Sequence, residues 1–320
     1  MPHILTAITL PRPHWPRDKA ILLFGPEWLA VGAVALLDLV LAQRIHFHLI
    51  MSWNNVMGTA AFLGAALLLH LFGYPRGRLV LEYTAIVAAG TAVLCVLSYV
   101  SFAMSGPLID NQLLAIDRMM GFDWLSGFRF FNTDPRVASL LTLLYQSPGV
   151  QELYFVLLFG LTNDKARLRG LFWLFLIALL ITCAGSWLFP AYGPFKIFGL
   201  ESHGNFLSEM EHLKSGHDLT FVLSHMTGVI CFPSFHTTLA AIFIYGFRRT
   251  GPIGVFVAGI NSAMLLAIPF VGGHYLIDMI AGAGIALVSI AAVEWGPSLW
   301  RRYLALPAQR LPQTQMADPA

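Results

Sequence analysis

Eight stretches of the chain are almost continuously apolar, near residues 27–43, 55–73, 80–104, 145–162, 170–189, 235–247, 253–271 and 275–296. Each is read as a helix able to enter or cross a hydrocarbon core of about 30 Å. The sixth is short and the fourth is interrupted by Ser147-Pro148-Gly149, so the pattern predicts about eight crossings. Two polar-rich stretches between them also carry a pattern. In 116–131, Phe122, Trp124, Phe128, Phe130 and Phe131 alternate with Asp117, Asp123 and Arg129, a mixture suited to the headgroup level of a bilayer. In 205–214, Phe206, Met210 and Leu213 recur at helical spacing opposite Glu209, Glu211 and Lys214, which predicts a short amphipathic helix, either a lid over a buried site or a seal on the outer rim. No internal repeat is visible, and the Pro-rich end from Leu306 onward reads as a disordered tail.

Composition agrees with a membrane solvent. Hydrophobic residues make up 57% of the chain and charged residues 11%, and the mean hydropathy is +0.69. That is too little charge to coat a soluble body of this size. The net charge of +2 has no basic run behind it, so nucleic acid is not an expected partner. Cys95, Cys183 and Cys231 lie in or beside apolar runs and read as small core residues. The Pro-rich first 25 residues lack a signal-type apolar core, and no cleaved presequence is expected.

Cationic loops stay on the cytoplasmic side of a membrane. With the N-terminus inside, the cytoplasmic segments hold thirteen of the 19 lysines and arginines, and Arg44, Arg118, Arg129, Arg136, Lys196 and Lys214 fall on the other side. Both termini are therefore expected in the cytoplasm of a plasma or inner membrane, with 190–234 and 272–274 facing the periplasmic or lumenal side. The expected division is a cytoplasmic N-terminal segment (1–26), N-terminal transmembrane helices with the interfacial segment (27–135), a catalytic helical core (136–300) and a disordered cytoplasmic tail (301–320).

Chemistry concentrates in two outward segments. In Cys231-Phe-Pro-Ser-Phe-His-Thr237, Pro233 breaks what precedes and Ser234 is a good N-cap for a helix starting at Phe235. The unpaired N–H groups of such a start favour an anion, and His236 lies in the first turn beside them. In Gly272-Gly-His-Tyr-Leu-Ile-Asp278, His274 and Asp278 are four apart, so on a helix the carboxylate reaches one ring nitrogen and orients the other. A carboxylate at that depth needs a partner and a reason. Gly282, Ala283, Gly284 and Ala286 let the following helix approach a neighbour closely. The remaining histidines, His46, His48, His70, His203, His212 and His217 among them, read as interfacial polar residues, and Asp38 as packing glue.

Pro233-Ser-Phe-His236 and Gly273-His-Tyr-Leu-Ile-Asp278-Met-Ile-Ala-Gly282 resemble the second and third signature motifs of the type 2 phosphatidic acid phosphatase superfamily, and look most like its inositol phosphorylceramide synthase branch. Phe189-Pro-Ala-Tyr-Gly-Pro194 and, more weakly, Asp117 to Trp124 look like the same branch. The resemblance spans about 185–295 and implies a phosphatase-like helical core in the C-terminal half of an all-α polytopic membrane bundle. It also implies that His274 attacks phosphorus, that Asp278 holds its ring, and that His236 protonates the leaving oxygen and then activates the acceptor. Ser234, Phe235, Thr237, Gly273, Tyr192 and Lys196 are the expected substrate contacts. No metal or cofactor is expected.

The superfamily's first motif, a lysine with Arg-Pro, is absent, and Ile268 stands where the third motif has an arginine. Lys196 is the best remaining cation. A site with few cations suits a singly charged phosphodiester better than a monoester. The expectation is transfer of a phospho-headgroup, phosphoinositol among the candidates, from a phospholipid to a lipid hydroxyl. Hydrolysis of phosphatidic acid or a polyprenyl phosphate is the alternative. A transporter, and a metal hydrolase liganded by His236, His274 and Asp278, are the rivals. Helix lengths place the site inconsistently: His236 to Arg248 gives about 18 Å of helix, His274 to Trp295 about 31 Å.

Overall fold

Thirteen α-helices and two three-residue strands account for nearly all the described residues of the computed structural model, which are 25–51, 53–201 and 205–305. Residues 1–24 of the expected N-terminal segment and the tail beyond 305 lie outside them. In chain order come α1 (Pro26–Arg44), β1 (His48–Ile50), α2 (Trp53–Leu71), α3 (Pro75–Ala103), α4 (Asp110–Met119), α5 (Trp124–Phe131), α6 (Pro135–Tyr145) and α7 (Ser147–Leu161). There follow α8 (Lys165–Leu188), α9 (Pro194–Ile197), α10 (Phe206–Ser215), β2 (Thr220–Val222), α11 (Phe235–Gly246), α12 (Pro252–Gly272) and α13 (Leu276–Ala305).

Local chemistry sets the starts. Pro26, Pro75, Pro135, Pro148 and Pro252 sit in first turns, where the missing N–H costs nothing. Asp123, Asp134, Asp164 and Ser234 cap the helices that follow them with side-chain oxygens. The Ser-Pro-Gly element therefore opens a helix instead of interrupting one. The break falls one residue earlier, at Gln146, and the stretch before it, for which no element was expected, is α6.

Among the described residues, five helices are long and apolar enough to cross a membrane: α1, α3, α8, α12 and the Leu276–Gly296 part of α13. The Val56–Leu71 part of α2, and α7 and α11, are shorter. α3 packs against α1, α2, α7, α8 and α10, and α11 is enclosed by α7, α8, α12 and α13. Between lipid-solvated helices, association rests on van der Waals fit and polar pairs more than on water exclusion. The polar pairs are visible. Asn261 of α12 donates to Gln151 of α7 at 2.6 Å, Thr238 of α11 donates to the Gly282 carbonyl of α13 at 2.8 Å, and Arg169 of α8 pairs with buried Glu27 of α1.

Gly282 is where α13 meets α11, since a Cβ there would lie 2.3 Å from the Ser234 carbonyl oxygen. Gly284, in the same small-residue run, has nothing within 4 Å and makes no such approach. At the polar end, β1 pairs in parallel with β2, His48 opposite Thr220, tying the α1–α2 turn to the segment that follows α10.

Candidate active site

His236 and His274 arrive from different segments and line one cavity of about 110 Å³, with their ring centroids 6.4 Å apart. The other walls come from Ser98 of α3, Tyr145 of α6, Phe206 and Met210 of α10, the 228–231 stretch, Phe235 and Gly272. Among the described residues, no lysine or arginine lines it.

His274 lies just before α13 and is 2% exposed. Its Nδ1 is 2.8 Å from the Cys231 carbonyl oxygen and 3.5 Å from Asp278 Oδ2. A carbonyl can only accept, so Nδ1 carries a proton, and in the neutral ring Nε2 keeps its lone pair. The spacing of four predicted the carboxylate as the ring's partner, but the backbone carbonyl is the closer one. His274 precedes the helix, so the pair lacks the side-by-side geometry of two helical residues. Asp278 Oδ2 instead accepts from the Tyr275 N–H at 2.8 Å and lies 3.2 Å from the Cys231 thiol, while Oδ1 is buried with no partner among the described residues. Burial, then the Asp278 carboxylate, pushes the Cys231 thiol well above its usual range, so it is a neutral donor.

His236 stacks on Tyr145, centroids 4.0 Å apart, which fixes the plane of its ring. It sits in the first turn of α11, whose Thr237 N–H goes to the Ser234 hydroxyl oxygen and whose Thr238 N–H goes to the Ser234 carbonyl. The N–H groups of Phe235 and His236 have no acceptor among the described residues, the condition for an anion at a helix start.

Of the expected substrate contacts, Phe235 lines the cavity. Ser234 and Thr237 are buried in the start of α11, bonded to each other. Gly273 is a backbone requirement: its φ is +66°, and a Cβ would fall 2.4 Å from the Phe195 ring. Tyr192 packs on Phe102. Lys196 lies outside the cavity walls, its side chain 48% exposed and ion-paired with Glu211 of α10.

Several supporting residues were not among the site residues expected from the sequence. Asp110 accepts from the Tyr192 and Gly193 N–H groups at 3.0 and 2.7 Å and from the Tyr275 hydroxyl at 3.0 Å, joining the Phe189–Pro194 stretch to the His274 loop. Burial, then the Asp110 carboxylate, pushes the Tyr275 phenol up, so it stays a donor. Two turns on, Asp117 accepts from the Leu276 and Ile277 N–H groups at 2.8 and 3.0 Å and caps α13 from another helix. Burial lifts its carboxyl above the usual range against the pull of those two donors. Trp124, expected at the headgroup level, is buried and donates from Nε1 to the Pro269 carbonyl at 2.8 Å. The seven-residue spacing of Asp110 and Asp117 put them on one helix face, a signal present in the sequence; nothing local marked Tyr145.

The ligand atoms of Cys231, His274 and Asp278 lie within 4.8 Å of one another, as a metal site requires. His236, which the metal-hydrolase rival needs, is not among them. The His274 Nδ1 and Asp278 Oδ2 atoms are already engaged by a carbonyl and an N–H, which fits an orienting network better than a ligand set.

Neither curated proteins nor solved structures give a match to the chain. A family model described as the PAP2 superfamily matches residues 111–292. That stretch contains both cavity histidines, Asp278, Cys231 and Asp117, and exceeds half of the chain. The chain thus belongs to the PAP2 superfamily, whose members are phosphoesterases or phosphotransferases.

Proposed function

We propose that the chain is a membrane-embedded phosphotransferase that moves a phospho-headgroup, phosphoinositol being one candidate, from a phospholipid to a lipid hydroxyl. The observation that carries this is the pair of imidazoles facing one cavity that no lysine or arginine among the described residues lines. A singly charged diester fits such a site better than a doubly charged monoester. Centroids 6.4 Å apart leave room for phosphorus about 3 Å from one ring and the leaving oxygen within about 3 Å of the other.

The steps follow from the atoms. His274 Nε2 attacks phosphorus as the bond to the lipid alkoxide breaks, and His236, protonated beside the bound phosphodiester anion, gives that oxygen its proton. The Cys231 carbonyl, helped by Asp278, steadies the Nδ1–H while positive charge develops on the ring. The acceptor hydroxyl then attacks the phosphohistidine, His236 takes its proton, and Nε2 leaves. No step needs a metal. α2, α7 and α11 join those five helices as membrane spans, giving eight, with both termini cytoplasmic and the cavity on the opposite face.

The test is to incubate purified protein in detergent with labelled phosphatidylinositol or phosphatidic acid and a diacylglycerol or ceramide acceptor, wild type beside His274→Ala. A new labelled phospholipid made only by the wild type is the expected result. Labelled inorganic phosphate as sole product would establish the hydrolytic alternative instead, and no turnover of any lipid would remove both.

A further inference from the structure

A second cavity of about 230 Å³ lies between α3, α7, α8 and α11. Its walls are almost wholly apolar, with Ile86, Leu94, Phe172, Phe175 and Leu239 among them. A chamber of this kind takes up apolar matter in preference to water. Two features separate it from a packing defect. Phe235 lines both this chamber and the catalytic cavity, and the next residue is His236. Glu152 also lines the chamber, and no donor among the described residues reaches its carboxyl. Its neighbour Gln151 is paired with Asn261, so α7 turns an amide toward α12 and an acid toward the chamber. An acidic group in apolar surroundings without a donor is costly and marks a functional position.

We infer that the chamber holds one hydrocarbon chain of the lipid substrate, and that Glu152 accepts a hydrogen bond from a hydroxyl or amide N–H carried on that lipid. The inference rests on reading the neighbouring cavity as a lipid phosphoester site. Glu152 is one helix turn past Pro148, while Tyr145, seven residues earlier, stacks on His236. Phe235 shares the chamber with Glu152 and also lines the cavity of the two imidazoles, so the acceptor lies near the linkage between headgroup and chain. The chamber thereby selects lipids by a polar group beyond the phosphate.

The experiment uses the full chain in detergent and a long-chain alcohol bearing a diazirine, with 1-hexadecanol and 1-methoxyhexadecane as competitors. In the wild type the probe labels peptides of α3, α7, α8 or α11, and the alcohol displaces it at about tenfold lower concentration than the ether, the scale of one hydrogen bond to a charged acceptor. Glu152→Leu keeps the labelling and loses the preference. Glu152→Gln, which preserves shape and an acceptor, retains a reduced one. A Cβ on Gly90 meets nothing closer than 3.9 Å, so Gly90→Phe fills the chamber and abolishes labelling there. Equal displacement by the two competitors in the wild type, or labelling confined to other helices, overturns the inference. This readout does not depend on turnover, so failure of the transferase reading shows in the lipid assay and failure of the chamber reading shows here.

Discussion

The His274 ring is held by a backbone carbonyl at 2.8 Å and by a carboxylate 3.5 Å away, and that difference sets what each substitution does. His274→Ala removes the proposed nucleophile and lowers transfer at least about 10³-fold. Asp278→Asn keeps an acceptor for the Tyr275 N–H and leaves the Cys231 carbonyl in place, so the loss is smaller, about 10- to 100-fold, as for other groups that orient a reacting residue. Initial rates of labelled-lipid transfer for the two variants beside the wild type check the order; equal losses would mean that Asp278 does more than orient. Cys231 gives a second check. Its buried, neutral thiol should resist iodoacetamide at pH 8 in the folded protein and react once the protein is denatured, as peptide mass analysis would show. His236, His274 and Asp278 were legible because each sits in a short local motif. The Cys231 carbonyl and Tyr145 were not, because their partners lie tens of residues away, where periodicity carries no information.

α4 and α13 show how whole elements aim the site. Asp110 and Asp117 face the same way from α4, one holding the loop that carries Tyr192 and Gly193, the other the first turn of α13. Asp117→Ala should cost about 1 kcal/mol, the scale of a lost cap. Asp110→Ala leaves two N–H groups and a buried phenol without their acceptor and should cost more, about 1–3 kcal/mol. Thermal unfolding in detergent ranks them. The α11–α13 contact allows a matched pair. Gly282→Ala puts a methyl 2.3 Å from the Ser234 oxygen and should destabilise by about 1–3 kcal/mol, whereas Gly284→Ala, with open space around it, should be near neutral. Most helices could be read from their apolar runs. α6 was missed because Asp134-Pro135, a start signal, lies ahead of a mixed sequence, and the weight given to Ser147-Pro148-Gly149 as a breaker hid the continuation. The β1–β2 pair, three residues a side, is too short to leave a pattern.

Across the whole molecule, the cavity is closed on one side by α10, whose Phe206 and Met210 form part of its wall. α10 is latched at three points: Glu209 to Tyr99 and Thr227, Glu211 to Lys196, and Lys214 to the Ser105 and Gly106 carbonyls. The amphipathic pattern predicted this helix, and its place over the cavity favours the lid reading. α11, at 12 residues, is about 18 Å long against a hydrocarbon core of about 30 Å. In the proposed arrangement a site at its start sits within the membrane's thickness, where a lipid headgroup can enter sideways. Because no proposed step uses a metal, transfer should survive a chelator and be blocked by vanadate; loss of activity with the chelator, restored by a divalent cation, would favour the Cys231, His274 and Asp278 cluster as ligands. The most direct test of the central claim is to trap the intermediate. Protein quenched during turnover of a lipid labelled in its phosphate should carry acid-labile, alkali-stable label on the peptide containing His274, and His274→Ala should carry none. Rapid turnover with no label on that peptide, or label on another residue, would contradict the account.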